Sequence, residues 1–142
     1  MTKEEIKHQN KLIALILRAN HVSDKVEFFS PPDFSQQVGF LPHKKGNVIQ
    51  AHFHKEVHRR ITMTQEVLFI RKGRILVNFY AVDRAFITSR ELEAGDVLFL
   101  CAGGHGFKML EDTEMIEIKQ GPYSGKDSDK VRFEGRENDS GK

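Results

Sequence analysis

The chain contains very little cysteine: Cys101 is the only one among its 142 residues. A single thiol excludes an internal disulfide framework, and it also excludes a metal site made of cysteines alone. A chain of this length is long enough to bury one core without covalent cross-links. We therefore expect a single cytoplasmic domain that is stabilised by its core.

Long apolar runs and blocks of like charge are also missing. The longest apolar run covers residues 12–17, far short of the roughly 18 residues that a membrane-spanning helix needs. Its flanks do not show the small-residue cleavage site of a secretory signal. The formal net charge is +2, and Lys and Arg alternate with Asp and Glu. We therefore expect neither a membrane nor a nucleic acid as a partner.

The first 20 residues carry a pattern that is typical of a short amphipathic helix. Thr2 and Glu5 have the spacing of a capping box. Apolar residues then follow at helical spacing, namely Ile6, Ile13, Ile16 and Leu17. We predict an N-terminal helix over 1–20 whose apolar face packs on the rest of the protein or on a second subunit.

The middle of the chain shows the pattern of a series of short strands. β-Branched and aromatic runs alternate with turns that contain Gly and Asp, at roughly ten-residue spacing. The runs cover residues 67–70, 75–80, 86–92, 97–100, 107–110 and 115–119. This pattern predicts an all-β sandwich or barrel over 21–123. The polar composition of 124–142 predicts a tail that is partly disordered.

His52 and His54 are the sharpest chemical feature of the sequence. Side chains two positions apart in a strand point to the same face, so both imidazoles are placed to bind one ion. Glu66, a carboxylate at the start of an apolar run, and His105, within a glycine-rich turn, are candidate ligands from other predicted strands. Nitrogen and oxygen ligands of this kind suit iron, manganese, nickel, zinc or copper.

Residues 46–118 resemble the cupin superfamily in two motifs. Five residues separate Gly46 from the His52-Phe53-His54 segment, and six residues separate Glu66 from Gly73, as in the first cupin motif. The second motif corresponds to Gly95, Cys101, Gly103 and His105. The resemblance implies a double-stranded β-helix, a jelly-roll barrel. It also implies one divalent transition metal (iron, zinc, manganese or nickel) inside, with the ligands His52, His54, Glu66 and His105.

The sequence departs from the cupin pattern near both motifs. The interval between His54 and Glu66 is longer than usual, so Glu56 and His58 remain alternatives to Glu66 as a ligand. Cys101 stands where proline is customary. We expect this lone cysteine to serve in packing.

The resemblance implies a metal-dependent enzyme that acts on a small polar molecule, carboxylate or sugar-like. Cupin enzymes include dioxygenases, isomerases, epimerases and lyases, and the fold does not choose among them. Glu117 and Lys119 share one face of the last predicted strand and are candidate acid or base groups. Whether this face or the face of Ile116 and Ile118 points inward stays open. The alternative is a non-catalytic module that binds or senses a metal or small molecule, and a homodimer is expected in either case.

Overall fold

The computed structural model describes residues 1–126 and 129–136. These ranges contain ten β-strands and no α-helix, so the all-β class is confirmed, and no helix in them has the length and apolarity to cross a membrane. The strands are β1 (Lys3–His8), β2 (Lys11–Leu17), β3 (Glu27–Phe28), β4 (Gly39–Phe40), β5 (Glu66–Lys72), β6 (Arg74–Tyr80), β7 (Phe86–Glu93), β8 (Val97–Leu100), β9 (Gly104–Met109) and β10 (Glu114–Lys119). The chain divides into two units: Met1–His21 with Met63–Lys142, and Val22–Thr62.

The first unit contains two antiparallel sheets. One has the strand order β1-β2-β8-β5-β10 and the other the order β7-β6-β9. Strand β5 pairs with β8 and β6 pairs with β7, so these four strands form one ribbon that runs through both sheets. Strand β10 then pairs with β5, and β9 with β6. Among the described strands the sheets stay separate and do not close into a barrel.

The two sheets share one apolar core. Strand β5 contributes Leu68 and Ile70, while β6 contributes Ile75, Val77 and Phe79, which are fully buried. Alternate residues of a strand face the same side, which is why every second residue of these strands enters the core. Each such side chain contributes about 1.5–3 kcal/mol through burial of apolar surface.

The N-terminal helix predicted over 1–20 is wrong, because this segment is a β-hairpin. His8 pairs with Lys11, which leaves a two-residue loop of Gln9 and Asn10 with φ values of 48° and 62°. Two residues with positive φ are the geometry of a tight hairpin turn. The four consecutive residues 13–16 of β2 are all buried, so both faces of this strand are covered. A strand covered on both faces carries a continuous apolar run, which periodicity does not distinguish from a helix.

The second unit, Val22–Thr62, contains little regular structure. Strands β3 and β4 form a two-stranded sheet, and the loop between them is held by the Ser30 hydroxyl, which donates to Gln37 Oε1 over 2.8 Å. No strand follows Phe40 in this unit, so the strands predicted here from the histidine pattern are absent. Its apolar side chains after Phe40 are scattered among charged ones and are mostly exposed, so they provide no buried face for a strand.

The described part of the predicted tail contacts the three-stranded sheet. The ring of Phe133 lies 5.1 Å from that of Tyr80 at an interplanar angle of 90°, and the backbone N–H of Arg136 donates to Tyr80 Oη over 2.6 Å. Residues 127–128 and 137–142, which belong to the tail predicted as partly disordered, lie outside the described residues. The boundaries predicted for the barrel, 21–123, and for the tail, 124–142, remain predictions.

Candidate functional site

The core-facing side of β5 changes from apolar to acidic along the strand. Leu68 and Ile70 belong to the core, and Glu66 stands two residues before Leu68, on the same face. Its side chain is nearly as buried as theirs, with a relative exposure of 7%. A buried carboxylate is costly unless a partner compensates it. The end of the sheet that carries Glu66 is therefore the candidate functional site.

Strand β10 shows the same change on its core-facing side. Glu117 pairs with Leu68 and Lys119 pairs with Glu66, so both charged side chains share the face of Glu66. The alternate residues Ile116 and Ile118 face the other way and are exposed. The register thus puts Glu117 and Lys119 on the face of Leu68 and Glu66, although Glu117 itself is exposed.

His105 reaches the same end from the other sheet. It pairs with the core residue Phe79 of β6, so its imidazole faces the core, and its ring centroid lies 5.4 Å from that of Phe107. The turn before it depends on Gly103, whose φ is +70° and where a Cβ would lie 2.3 Å from the Tyr80 carbonyl oxygen. Both the backbone conformation at Gly103 and the lack of space for a Cβ therefore favour glycine in this turn.

Glu66 and His105 come together across the two sheets. The distance between Glu66 Oε2 and His105 Nε2 is 3.6 Å. This is too long for a strong hydrogen bond, but two atoms that each form a metal bond of about 2.0–2.2 Å can share one ion at this separation. Two of the four predicted ligands therefore lie close together, whether as an ion pair or as two ligands of one ion.

The electrostatic surroundings of Glu66 are mixed. Burial raises the pKa of its carboxyl above the usual value, and the neighbouring Glu117 raises it further by repulsion and by a hydrogen bond to the protonated form. The ammonium groups of Lys119 and Lys130 act in the opposite direction and lower this pKa. A bound cation would favour the ionised form of Glu66 in the same way as the two lysines do.

Lys130, which the sequence analysis did not single out, lowers the pKa of the Glu66 carboxyl through its positive charge. It belongs to the segment that composition assigned to the tail, and it acts electrostatically on Glu66. The available signal was Phe133, a large aromatic residue three positions later in an otherwise polar stretch. An isolated aromatic side chain in a polar segment indicates that the segment packs on the fold.

His52 and His54 belong to the second unit, Val22–Thr62. Both are exposed and neither lies in a strand, so the strand predicted around them is wrong. Their rings lie 5.4 Å apart, and His52 Nδ1 is 2.8 Å from the Gln50 carbonyl oxygen. The alternatives Glu56 and His58 are also exposed and outside any strand. The role of these four residues as ligands remains a prediction.

The donor geometry fits a metal ion only in part. Glu66 and His105 fit as a pair, as the distance between them shows. In residues 1–126 and 129–136, however, no group of three or more His, Cys, Asp or Glu side chains is arranged to hold a metal ion. The four-ligand set therefore remains a prediction, and no reaction step is derived through the metal.

Cys101 has the properties of a packing residue. It is buried, and burial raises the pKa of its thiol to about 12. Its Sγ lies 3.7 Å from the Phe99 carbonyl oxygen. A thiol that stays neutral at physiological pH is a poor nucleophile, in agreement with the expected packing role.

A cavity of about 180 Å³ opens where β10 ends. Residues 119–125 and Asp129 line it. Gln120, one of the lining residues, accepts a hydrogen bond on Oε1 from the backbone N–H of Gln65 over 2.8 Å. Its Nε2 is buried and has no hydrogen-bond partner among the described residues. Gln65 Oε1 is likewise buried and without a hydrogen-bond partner among the described residues.

No family model, curated protein or solved structure matches the chain. The resemblance to cupins therefore depends on the two sequence motifs, and what it implies for function is a proposal.

Proposed function

We propose that the chain is a metal-binding cupin and acts as a metal-dependent enzyme on a small polar molecule, such as a carboxylate or a sugar-like compound. The observation that carries this proposal is the distance of 3.6 Å between Glu66 and His105. These residues belong to separate motifs and separate sheets, and each was a candidate ligand on sequence grounds alone.

The strand pairing supports the proposed jelly roll. A jelly roll consists of two antiparallel sheets joined by Greek-key connections. The ribbon in which β5 pairs with β8 and β6 with β7 runs through both sheets, and β10 and β9 extend it on the same side. This pairing is compatible with the proposed double-stranded β-helix, in which β5 and β9 would approach one site from opposite sheets.

In the first unit the proposed ligands of the ion are Glu66 and His105, and His52 and His54 are proposed as ligands on sequence grounds alone. Iron, zinc, manganese and nickel all accept such nitrogen and oxygen ligands. An ion with open coordination positions polarises a carbonyl group or activates water. The first unit thus supplies one carboxylate and one imidazole, and the remaining ligands are assigned from the sequence.

Glu117 and Lys119 are the proposed acid and base groups. Both lie on the core-facing side of β10, beside Glu66, and Glu117 is hydrogen-bonded to the Glu66 carboxyl. Glu117 is also exposed, so its carboxyl can exchange a proton with a small molecule bound at this end. Lys119 supplies a positive charge that attracts an acidic or hydroxylated substrate.

Elemental analysis of untagged protein tests the metal. We expect about one transition-metal ion per chain in the parent, and loss of the ion in His52→Ala and in His105→Ala. His43→Ala, which changes an exposed histidine outside the predicted set, is the matched control and should retain the ion. Comparing the metal content of Glu66→Gln with that of Glu56→Gln shows which of the two carboxylates is a ligand. A parent without metal after incubation with iron, nickel, manganese or zinc would refute the proposal.

The second candidate is a non-catalytic module that binds or senses a metal or small molecule. It is kept because the same fold class serves both binding proteins and enzymes. Water proton relaxation in the Mn²⁺-loaded protein separates the candidates. An enzyme site with open positions keeps exchangeable water on the ion and enhances relaxation strongly, whereas a saturated site does not.

A homodimer is part of the proposal. The helix predicted as its contact is a hairpin, but the segment with Phe28 still exposes an aromatic ring. Light scattering on the purified chain should give twice the mass of one chain, about 16.3 kDa each. A monomer at micromolar concentration would remove this part of the proposal and leave the metal site untouched.

A further inference from the structure

The outer face of the five-stranded sheet carries an apolar patch beside its β10 edge. The patch consists of Val67 and Phe69 from β5 and of Ile116 and Ile118 from β10, and it is here called the outer patch. Phe69 pairs with Ile116 and Val67 with Ile118, so the four side chains form two adjacent cross-strand pairs. Phe69, Ile116 and Ile118 have relative exposures of 37%, 47% and 58%. An exposed apolar patch of neighbouring side chains indicates an interaction surface.

The same face of the sheet is covered farther from the edge. Phe99 of β8 pairs with Val67, and Leu15 of β2 pairs with Phe99. Phe99 and Leu15 have relative exposures of only 1% and 4%. The outer face therefore changes from buried to exposed between β8 and β10. Among the described residues, what stays uncovered is a strip two strands wide.

One charge of each sign borders the outer patch. Arg71 stands two residues after Phe69 in β5, and Glu114 stands two residues before Ile116 in β10. Arg71 Nε lies 3.8 Å from Glu114 Oε2, and both side chains are exposed. An exposed ion pair at this distance contributes little to the stability of its own chain. Both charges are therefore available to a partner, and together they are neutral.

We propose that the outer patch is the contact surface of the homodimer, with a two-fold axis that runs along the strands between β5 and β10. This axis places β5 of one chain over β10 of the other, with the two sheets packed face to face. Phe69 then packs on the partner's Ile116. Val67 packs in the same way on the partner's Ile118, and each pair occurs twice.

The border charges identify a second copy of this chain as the partner. Under the same two-fold axis, Arg71 of one chain faces the partner's Glu114. The opposite contact, between Glu114 and the partner's Arg71, follows by symmetry. An apolar centre with complementary charges at its rim is the usual composition of a specific interface. The surface thus complements itself in shape of charge and in apolar character.

Pairing of two β10 edges is the other route to a dimer through this strand. It would extend the sheet and leave the outer patch exposed. Glu117 and Lys119 lie on the core-facing side of β10, and inward charges of this kind protect an edge strand against pairing. Face-to-face packing therefore accounts for the apolar outer side of β10 and for its charged inner side together.

Sedimentation equilibrium over a series of concentrations tests the patch, with urea denaturation to confirm that each variant folds. We expect Ile116→Ser and Ile118→Ser each to raise the dissociation constant of the dimer about tenfold or more, because each change occurs twice in a two-fold dimer. Val82→Ser, which changes an exposed valine outside the patch, is the matched control and should dimerise as the parent does. Equal effects of all three changes, or no effect of the isoleucine changes, would overturn the proposal.

Mixing two charge variants tests the axis. In Arg71→Glu and in Glu114→Arg, like charges face each other across the dimer, so each variant alone should dimerise about tenfold more weakly than the parent. An equimolar mixture should recover dimerisation, because both contacts of the mixed dimer then unite opposite charges. Lys108→Glu, at an exposed lysine of β9 in the other sheet, is the control and should not recover dimerisation when mixed with Glu114→Arg. A mixture that dimerises no better than its components would overturn the proposed axis.

This inference rests on the homodimer in the proposed function and not on its metal, and the two fail separately. A monomeric parent that holds a metal ion refutes the homodimer and its contact surface, and it leaves the metal-dependent enzyme standing. A dimeric parent that is weakened by Phe28→Ser and not by Ile118→Ser refutes the outer patch alone. A dimeric parent without metal refutes the enzyme, and the substitutions in the patch still decide where the two chains meet.

Discussion

The five-stranded sheet buries one carboxylate at each end of β8, and the two are held in opposite ways. Asp96, which precedes β8, has a relative exposure of 1%. It accepts hydrogen bonds from the Arg18 guanidinium and from the backbone N–H groups of Ala19 and Glu93, over 2.9, 2.9 and 3.0 Å. The fold itself supplies every donor that this carboxylate needs.

Glu66, at the other end of β8, is almost as buried but has a different set of neighbours. Its closest ones in the described part of the chain are the Glu117 carboxyl, which repels its charge, and the His105 imidazole at 3.6 Å. The pKa of Glu66 is raised as a result. Asp96 thus stabilises the fold, whereas Glu66 is placed where a cation from outside the chain would relieve the cost of its burial.

The largest effect should follow from removing the satisfied carboxylate. We expect Asp96→Ala to lower the free energy of unfolding by about 3–5 kcal/mol, because the Arg18 charge and two backbone donors lose their acceptor. Urea denaturation measures this loss. Asp112→Ala, at an exposed turn, is the control and should change stability by less than about 0.5 kcal/mol. A loss of stability in Asp96→Ala as small as in the control would contradict the conclusion that Asp96, unlike Glu66, stabilises the fold.

The strands of the two sheets were predictable because their signal is local. Runs of β-branched and aromatic residues between glycine-containing turns predicted β5 to β10, and each run contributes to an observed strand. The N-terminal hairpin was not predictable from periodicity, since β2 is covered on both faces. The turn at Gln9 and Asn10 was the only local sign, and its meaning depends on a backbone conformation that composition does not show.

The candidate site was predictable only where single residues are unusual for their position. Glu66 stood out as a carboxylate in an apolar run, and His105 as an imidazole among glycines. The inward face of Glu117 was not predictable, because Ile116 and Ile118 are apolar and yet exposed. Lys130 was missed because its placement depends on a tertiary contact of Phe133 with Tyr80. Strand pairing decides the face of Glu117, and a tertiary contact decides the placement of Lys130. A single sequence contains neither kind of information.

Replacing Glu66 by its neutral isostere glutamine should change the free energy of unfolding much less than Asp96→Ala does. In metal-free protein at pH 7, we expect Glu66→Gln to change the free energy of unfolding by less than about 1 kcal/mol, or to raise it, because the ionised carboxylate lacks the donors that Asp96 has. Urea denaturation with a chelator present measures this. Added metal should stabilise the parent and leave Glu66→Gln unchanged. A loss as large as that of Asp96→Ala would contradict the contrast.

The pH dependence of stability sharpens the contrast further. The pKa of Glu66 is raised in the folded state, so the folded protein binds more protons than the unfolded chain above the ordinary carboxyl pKa. The stabilising contribution of the protonated form is complete below the unfolded pKa and is lost as the pH rises through the folded pKa. We therefore expect the parent to lose stability relative to Glu66→Gln on raising the pH from 4 to 7, without metal. Parallel curves would contradict the raised pKa.

The smallest effects should come from the two charged neighbours on β10, and they should have opposite signs. Glu117→Gln removes a repelling charge, so the pKa of Glu66 falls and the pH-dependent loss of stability is complete at lower pH. Lys119→Gln removes an attracting charge, so this loss extends to higher pH. Urea denaturation of both metal-free variants between pH 4 and 7 measures the two displacements against the parent. Because repulsion from Glu117 exceeds attraction by Lys119 among the causes of the shift, the displacement in Glu117→Gln should be the larger one. Displacements of the same sign would mean that the variants disturb the packing of β10 instead of the charge on Glu66.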